Sequence, residues 1–361
     1  SLRCWSSARR VFLVKPLRCV YEYAEMNETP TPIETQLTES PAPMVSMTRA
    51  RRIFYLVPIL ALVIPFIANE YLLWVVNAVL VYTLVTLGFN LVIGHLGQLA
   101  FANTAFFGIG AYTTAILMVY GGIPYVLAIL ISAVVGGLAG FLASVTALRG
   151  IRLYYLAIIT LAFGELMRWV YLHGDKVTKG SDGLLMPPAF FFGVPLDSDL
   201  PKFYVFLFLT VVVVKVSSNL MRSKIGRAIV AIRDNEATTA SLGIDTAGYI
   251  ILAFGWSGAV VGVSGAMFAV LTERVLPEAF GLTEVIIHFG MVLVGGTGSI
   301  VGSVLGAIAL TTLPEYFRQF PGMDELFFGI IIVLILLFLP KGLVSLLAKI
   351  SPLFKERYYR D

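Results

Sequence analysis

The sequence predicts an all-α polytopic membrane protein with about ten transmembrane helices, some of them broken or re-entrant. Three observations predict this class. Hydrophobic residues make up 58% of the chain, against about 45–50% in soluble proteins. Charged residues make up 13%, where about 25% is usual. Apolar runs long enough to cross a bilayer also recur along most of the chain.

So few charges cannot cover a chain of 361 residues with a water-facing surface. This excludes a soluble enzyme, a disordered chain, a collagen and a disulfide scaffold. The formal net charge of +4 is too small to indicate a nucleic-acid partner. Cys4 and Cys19 both precede the first apolar run, so neither a disulfide framework nor a metal site is predicted. The lipid bilayer is the expected surrounding of this protein.

Residues 1–50 are predicted to be a disordered N-terminal extension. Its second half is rich in proline, threonine and glutamate, and such a segment cannot bury enough apolar surface to offset its ordering entropy. No apolar stretch with a small-residue cleavage site marks a secretory signal. A transit peptide over residues 1–20 is one interpretation. A start residue assigned too far upstream is favoured, with Met26, Met44 or Met47 as the true start.

Ten apolar segments are predicted within a membrane domain of residues 51–347, which a cytoplasmic tail of residues 348–361 follows. They cover residues 53–68, 71–93, 99–120, 124–148, 153–172, 201–218, 249–271, 284–296, 299–317 and 326–346. Glycines interrupt the third segment (Gly94, Gly97, Gly108 and Gly110) and lie towards the end of the eighth. This predicts broken or re-entrant helices. Close helix packing through small residues is the alternative, and it is favoured for most of the glycines.

The distribution of charge predicts that both termini are cytoplasmic. Ten crossings place almost every basic cluster on one side of the membrane, as the positive-inside rule requires. These residues are Arg49, Arg51, Arg52, Arg149, Arg152, Arg222, Lys224, Arg227, Arg233, Lys341, Lys349, Lys355, Arg357 and Arg360. Two long loops follow from this topology, 173–200 outside and 219–248 inside, and long loops are often functional.

Catalytic chemistry is not predicted. The chain contains no GxxxxGK[ST] loop for a nucleotide and no HExxH motif. The histidines, His95, His173 and His288, lie far apart in the sequence. We therefore expect neither a catalytic residue nor a bound metal.

Uncharged polar residues in the apolar body are the candidates for a translocation path. They are Asn90, His95, Gln98, Asn103 and Thr104. For His95 the two interpretations are a pore or gate residue and an interfacial hydrogen-bonding residue.

Glu165 and Arg168 are ionisable residues inside the fifth segment, where such residues are costly and usually functional. Their i, i+3 spacing places them on one helical face, where they can pair. We expect a buried ion pair between helices, which either joins two helices or lines the path, with the first role favoured.

The inner loop combines apolar and charged residues. Ile229, Ile232, Ala240 and Leu242 are expected to make its apolar contacts, and Arg233, Asp234 and Glu236 its charged surface. The acids favour the start of a short helix, and Gly243 suits its C-terminal cap. Such a helix is what an external motor protein could push against, whereas a solvated loop is the alternative.

Several stretches together resemble a known family. In chain order they are residues 94–101 (GHLGQLAF), 107–112 (FGIGAY), 161–165 (LAFGE) with Arg168, 180–184 (GSDGL), 226–245 (GRAIVAIRDNEATTASLGID), 277–280 (PEAF), 295–299 (GGTGS) with Gly302, and 340–343 (PKGL). In their order and spacing the chain resembles the permease subunits of the ABC importers for branched-chain amino acids, the LivM-type family. It departs from that pattern at residues 97–100 and at Ser303, and residues 1–50 have no counterpart.

The resemblance implies a transmembrane permease subunit of a binding-protein-dependent importer in the bacterial inner membrane. The implied partners are a second related permease subunit, two ATP-binding cassette ATPases and an extracytoplasmic solute-binding protein. No cofactor is expected on this chain, since ATP and Mg²⁺ would bind to the ATPases. The implied ATPase-coupling residues are Gly226, Arg227, Arg233, Asp234, Glu236, Ala240 and Gly243.

Two other classes of protein are weighed against this one. A secondary transporter or channel would use an intramembrane carboxylate, and Glu165 is the candidate, but Arg168 beside it and the large inner loop argue against that class. An intramembrane enzyme is disfavoured because His, Asp and Ser clusters are missing from the sequence.

Overall fold

A computed structural model describes residues 61–62, 65, 68–148, 154–317, 324–339 and 342–346. All of these lie in the unit Phe54–Asp361. The predicted N-terminal extension, most of the first predicted segment and the C-terminal tail lie outside the described residues.

Eleven α-helices make up most of the described chain. They are α1 (Glu70–Asn90), α2 (Asn103–Val119), α3 (Tyr125–Leu148), α4 (Tyr154–His173), α5 (Asp199–Arg222), α6 (Lys224–Asp234), α7 (Glu236–Ser241), α8 (Thr246–Thr272), α9 (Leu282–Gly295), α10 (Ile300–Phe317) and α11 (Asp324–Phe338). The predicted all-α class is confirmed, and predicted segments two to ten each coincide with one of these helices.

Five helices in the described part of the chain are long and apolar enough to cross a membrane. These spans are Glu70–His95, Tyr125–Val145, Tyr155–His173, Asp199–Arg222 and Thr246–Thr272. Three further apolar helices, α2, α9 and α10, have 17, 14 and 18 residues. The lower limit for a transmembrane helix is about 17 residues, so α9 is shorter than that limit. The count of ten crossings stays a prediction.

The break predicted in the third segment lies before α2. The helix α1 ends in one π-turn, Leu91–His95, and residues 96–102 form no regular helix before α2 begins at Asn103. Gly108 and Gly110 lie inside α2, which is regular, so their predicted interruption of the helix is wrong. At Gly110 a Cβ atom would collide with the carbonyl oxygen of Gly262 on α8, so this glycine permits close helix packing.

The core is organised around α8, which packs along α3, α2 and α1. Small residues line the contact between α8 and α3. At Gly258 a Cβ atom would collide with the backbone of Gly136 on α3, so only glycine allows this close approach. Phe254, Val261 and Ala266 on α8 are fully buried. These small residues let the backbones of the central helices pack closely, as they do in other membrane proteins.

Short strands occur in the connections between helices. They are β1 (Leu184–Leu185), β2 (Phe190–Phe191), β3 (Val194–Pro195) and β4 (Arg274–Val275). The strand β1 pairs antiparallel with β4, and β2 pairs antiparallel with β3. The buried ammonium of Lys202 forms an ion pair with Glu273 at 2.8 Å, which ties α5 to the end of α8. The pairing of β1 with β4 also joins the predicted outer loop 173–200 to the segment after α8.

The predicted inner loop 219–248 is mostly helical. Residues 219–222 continue α5, and Ser223 then begins α6 by accepting a hydrogen bond from the Ile225 amide. We call residues 223–245, which contain α6 and α7, the helical insertion.

Candidate functional site

Arg233 joins the helical insertion to the membrane helices. It lies in the last turn of α6, and its Nη1 donates a hydrogen bond to the carbonyl oxygen of Gly94 at 3.1 Å. Its aliphatic stem lies over Gly97, where a Cβ atom would come within 2.5 Å of Arg233 Cγ. Gly97 has a φ of +75°, which favours glycine. The insertion therefore contacts the broken end of α1 directly.

The same guanidinium approaches the turn between α9 and α10. A Cβ atom on Gly298 would lie 3.4 Å from Arg233 Nη1 and 3.3 Å from the Gly94 oxygen. Gly298 also has a positive φ, +75°. Arg233 thus reaches two turns at which membrane helices end.

Asn90 connects these two turns from inside the protein. Its side chain is fully buried, and Nδ2 donates to the Ser299 carbonyl oxygen and to Ser303 Oγ, each at 2.9 Å. Its Oδ1 accepts from the Gly298 amide at 2.8 Å. The amide of this predicted path residue is occupied by protein partners, which gives it a packing role. Ser303, where the chain departs from the family pattern, is one of those partners.

The segment after α11 packs against the end of α9, beside the turn that contains Gly298. A Cβ atom on Gly342 would lie 2.6 Å from the Gly296 Cα, and the Leu343 amide donates to the Val294 carbonyl oxygen at 2.8 Å. Motifs that are far apart in sequence therefore converge. We call the set Asn90, Gly94, Gly97, Arg233, Gly296, Gly298 and Gly342 the glycine junction.

The short helix predicted in the insertion is confirmed as α7. Asn235 caps its start by accepting a hydrogen bond from the Thr238 amide. Its end has the Schellman pattern, in which the Gly243 amide donates to Ala240 and the Ile244 amide to Thr239. Gly243 has a φ of +82°, as that cap requires.

The predicted apolar contacts of the insertion divide into two groups. Ile229 and Ile232 on α6 are buried, as expected. Ala240 is exposed, and Leu242 is 75% exposed, so for these two the predicted contact is wrong within the chain. The reason is that α7 has one turn and a half, with only Thr239 buried beneath it. Its outer face, with Ala237 and Ala240, is exposed in the single chain.

The other predicted coupling residues have local roles in the structure. Gly226 is buried where a Cβ atom would collide with the Met221 backbone, and Arg227 donates to the Arg222 carbonyl oxygen at 3.3 Å. Asp234 is largely exposed and pairs with Arg233 at 3.2 Å. Glu236 occupies the first turn of α7, where its negative charge interacts favourably with the positive end of the helix dipole.

The remaining path candidates lie on both sides of the break after α1. His95 is buried, with Nδ1 3.3 Å from the Asn90 carbonyl oxygen. Gln98 lies in the irregular segment, and its buried Oε1 has no hydrogen-bond partner among the described residues. Asn103 and Thr104, in the first turn of α2, are also buried.

His288 contacts the path candidate Asn103, although it was not itself predicted to line a path. Its Nδ1 lies 3.4 Å from Asn103 Nδ2, and its ring is fully buried one turn after Glu284 on α9. The Glu284 carboxylate lies 3.9 Å from His288 Nε2. The available signal was a carboxylate and a histidine at i, i+4 in an apolar segment. Across the described ranges, no group of three or more His, Cys, Asp or Glu could hold a metal ion.

Glu165 and Arg168 pair on α4 at 3.2 Å, but the predicted burial between helices is wrong. Their side chains are 41% and 36% exposed in the single chain. The i, i+3 spacing fixes a shared helical face and does not determine whether that face meets a neighbouring helix. Arg168 lies alongside Gly281, just before α9.

We expect Arg168→Gln alone to lower the yield of folded protein, because it leaves Glu165 unpaired on a membrane helix, where a charge costs about 2.5–3.5 kcal/mol. The double variant Glu165→Gln/Arg168→Gln should recover most of that yield. The measurement is monodisperse protein after extraction in detergent, with the exposed Lys176→Gln as control. Equal yields of Arg168→Gln and wild type would show that water covers this face.

Comparison with known proteins now places the chain. Residues 71–339 match the family described as branched-chain amino acid transport system / permease component. The chain is 31% identical over 330 residues to the high-affinity branched-chain amino acid transport system permease protein LivM of Escherichia coli (strain K12), covering 84% of this chain and 77% of that protein. It is 28% identical over 299 residues to the high-affinity branched-chain amino acid transport system permease protein BraD of Pseudomonas aeruginosa. That match covers 76% of this chain and 96% of BraD. No solved structure gives a significant match.

The fold and the converging motifs define a multi-pass helical membrane permease. The chain belongs to the family of branched-chain amino acid transport system permease components. The predicted family and the predicted function as a transport permease are thereby confirmed.

Proposed function

We propose that this chain is one of two related permease subunits of an ABC importer that takes up branched-chain amino acids across the bacterial inner membrane. Both termini lie in the cytoplasm in this proposal. Relatives over most of the chain are named high-affinity branched-chain amino acid transport permeases. The single observation that carries the mechanism is the contact of Arg233 with Gly94, which connects the helical insertion to the membrane helices.

The exposed face of α7 supports docking of an ATPase subunit. Ala237, Ala240 and Leu242 present apolar surface there, and Asp234 adds a charge that is 67% exposed. A helix capped at both ends by its own chain is a rigid element, and such an element can transmit a displacement. ATP and Mg²⁺ would bind to the two ATPases, because this chain has no nucleotide-binding loop.

The glycine junction supports a route for coupling. A displacement of α7 moves α6, and with it Arg233, whose guanidinium contacts the turn at Gly94 and lies beside Gly298. These turns end α1 and separate α9 from α10. Two turns with positive φ at glycine can change backbone angles more readily than regular helix. ATP-driven closure of the ATPases would thereby change the relative positions of α1, α9 and α10.

The opposite end of the molecule supports docking of a solute-binding protein. The hairpin β2–β3 exposes Phe190, Phe192 and Val194, with Phe192 82% exposed, and Leu185 on β1 is 62% exposed. Large exposed apolar side chains on a connecting segment typically mark a protein or membrane contact. In the predicted topology this segment lies outside the cell.

A secondary transporter is the second candidate, and one observation favours it. Glu284 and His288 are titratable groups inside the membrane domain, and such groups can couple transport to an ion. Reconstitution with the candidate ATPases and binding protein decides between the two. Uptake that requires ATP and resists ionophores supports the importer. Uptake that collapses with ionophores and ignores ATP supports the secondary transporter.

A surface variant tests the docking element itself. We expect Leu242→Glu to abolish co-purification of the ATPases and uptake, while the permease still folds, because this side chain makes little contact within the chain. The matched control is Leu185→Glu, a similarly exposed leucine at the other end, which should retain the ATPases. Normal ATPase association of Leu242→Glu would contradict docking through α7.

A further inference from the structure

We propose that Asn103, Thr104, Glu284 and His288 form an amino-acid contact site inside the membrane domain, which binds the ammonium and carboxylate groups of the passing solute. We call these four residues the polar cluster. The proposal rests on the importer function above and adds the residues and the ligand chemistry. It is a weak, transient site in a transport path.

The polar cluster contains buried polar atoms that the described residues leave unpartnered. Asn103 is 2% exposed, and Thr104 and His288 are fully buried. Nevertheless, Asn103 Oδ1, Thr104 Oγ1 and His288 Nε2 each lack a hydrogen bond within the described part of the chain. Buried polar groups in native proteins are normally paired, so unpaired atoms on Asn103 and His288, whose side chains approach to 3.4 Å, indicate a missing ligand or water. Thr104 joins the proposal as the next residue of α2 with an unpaired hydroxyl.

Thr114 on the same helix shows what a purely structural threonine does. It is fully buried like Thr104, but its hydroxyl contacts Ser132 Oγ at 2.7 Å and the Gly110 carbonyl oxygen at 3.0 Å. The Thr114 hydroxyl is therefore satisfied by its packing partners. Thr104 differs from that pattern.

The geometry of Glu284 and His288 leaves both with free capacity. Their closest atoms are 3.9 Å apart, which is too long for a hydrogen bond. Asn103 Nδ2 lies 3.4 Å from His288 Nδ1, and the tautomer that fits this amide orientation accepts at Nδ1 and carries its proton on Nε2. Glu284 is 26% exposed, so its carboxylate lies at an open edge of the polar cluster.

These groups match a zwitterion. The Glu284 carboxylate and Asn103 Oδ1 accept hydrogen bonds, as an ammonium group requires. The Nε2 proton of His288 and the Thr104 hydroxyl donate, as a carboxylate requires. A neutral solute such as urea would leave the Glu284 charge uncompensated. The donor set therefore favours an amino acid over an amide.

An aromatic wall adjoins the polar cluster. The His288 ring lies 5.7 Å, centroid to centroid, from both Tyr82 and Phe107. Phe107 in turn packs against Phe268 at 4.9 Å and Phe280 at 5.5 Å. A few polar groups beside an apolar wall are the usual composition of a small-molecule site. This wall suits an aliphatic side chain.

The first experiment measures whether water and solute reach the polar cluster. Thr104→Cys and Thr114→Cys are made in a chain in which Cys4 and Cys19 are serine, and each is assembled with its partners in proteoliposomes. A cationic trimethylammonium methanethiosulfonate reagent is added during ATP turnover. Thr104→Cys should react and Thr114→Cys should not. Equal resistance of both cysteines in every nucleotide state would overturn the proposal.

The second experiment measures leucine taken up per ATP hydrolysed. Glu284→Gln should lower that ratio about tenfold, the value of one hydrogen bond to a charged group, while ATP hydrolysis stimulated by the loaded binding protein is kept. The control is Asp197→Asn, an exposed carboxylate on an outer connection. An unchanged ratio, or an equal loss of hydrolysis and uptake, would show that Glu284 is only structural.

The importer function and the amino-acid contact site can be rejected separately. If the wild-type assembly shows no ATP-dependent leucine uptake, the importer function itself is wrong. If the wild type transports while Thr104→Cys stays unreactive and Glu284→Gln keeps its ratio, only the polar cluster is rejected.

Discussion

Replacing Arg233 by alanine is expected to abolish uptake while the ATPases remain bound and continue to hydrolyse ATP. Arg233 contacts Gly94 at 3.1 Å, covers Gly97 and approaches Gly298, so its loss removes the contacts that this side chain makes with both turns of the glycine junction. The side chain is 36% exposed, so the protein should still fold. Uptake and ATP hydrolysis are measured together in proteoliposomes, and we expect a loss of uptake of about 100-fold, the upper end for a lost charged hydrogen bond.

Two variants sharpen this test. Arg233→Lys keeps the charge but not the planar fork, so uptake should recover only in part. Arg222→Ala removes an exposed arginine in the last turn of α5, before the helical insertion begins. It should leave uptake close to wild type. Coupled uptake by Arg233→Ala would mean that movement of the insertion reaches the membrane helices by another contact.

Local chemistry was sufficient to predict much of this protein. Apolar length gave the positions of nine helices, because a membrane helix satisfies its backbone within one segment. Gly243 and the acids before α7 gave the short helix, because caps act between residues at most a few positions apart. These features depend only on neighbours in sequence.

Contacts between distant segments could not be predicted in this way. Gly94 and Arg233 are 139 positions apart, and Asn90 lies 208 positions from Gly298. The glycine motifs were visible as motifs, but their meeting at one junction depends on how α1, α9 and α10 pack. The same limit explains why His288 was missed, since its partner Asn103 is 185 residues away.

The exposure of Glu165 and Arg168 was mispredicted for a related reason. Two charges on one face of a membrane helix must be covered, and burial inside the same chain was the simplest cover. In the single chain that face of α4 is partly open. A lone sequence does not show what lies against a helix face that its own chain leaves open.

Of the substitutions proposed for this protein, Asn90→Leu is expected to cause the largest loss of stability. It removes the amide that bonds the Ser299 carbonyl oxygen, the Ser303 hydroxyl and the Gly298 amide. The first two keep a hydrogen bond to each other, so the partly buried Gly298 amide is the group that loses its acceptor. An unsatisfied group of this kind costs about 1–3 kcal/mol, against a typical stability of about 5–15 kcal/mol. We expect little monodisperse protein and a strongly lowered melting temperature in detergent.

The matched control for Asn90→Leu is Thr86→Val, one turn earlier on α1. Thr86 is also fully buried, but its hydroxyl bonds the Tyr82 carbonyl oxygen of its own helix at 2.7 Å. Because that carbonyl already serves the helix ladder, losing the hydroxyl should change the melting temperature little. An Asn90→Leu protein that melts like wild type yet fails to transport would return Asn90 to the translocation path. Its hydrogen bonds across the glycine junction would then belong to one state of the transport cycle rather than to the fold.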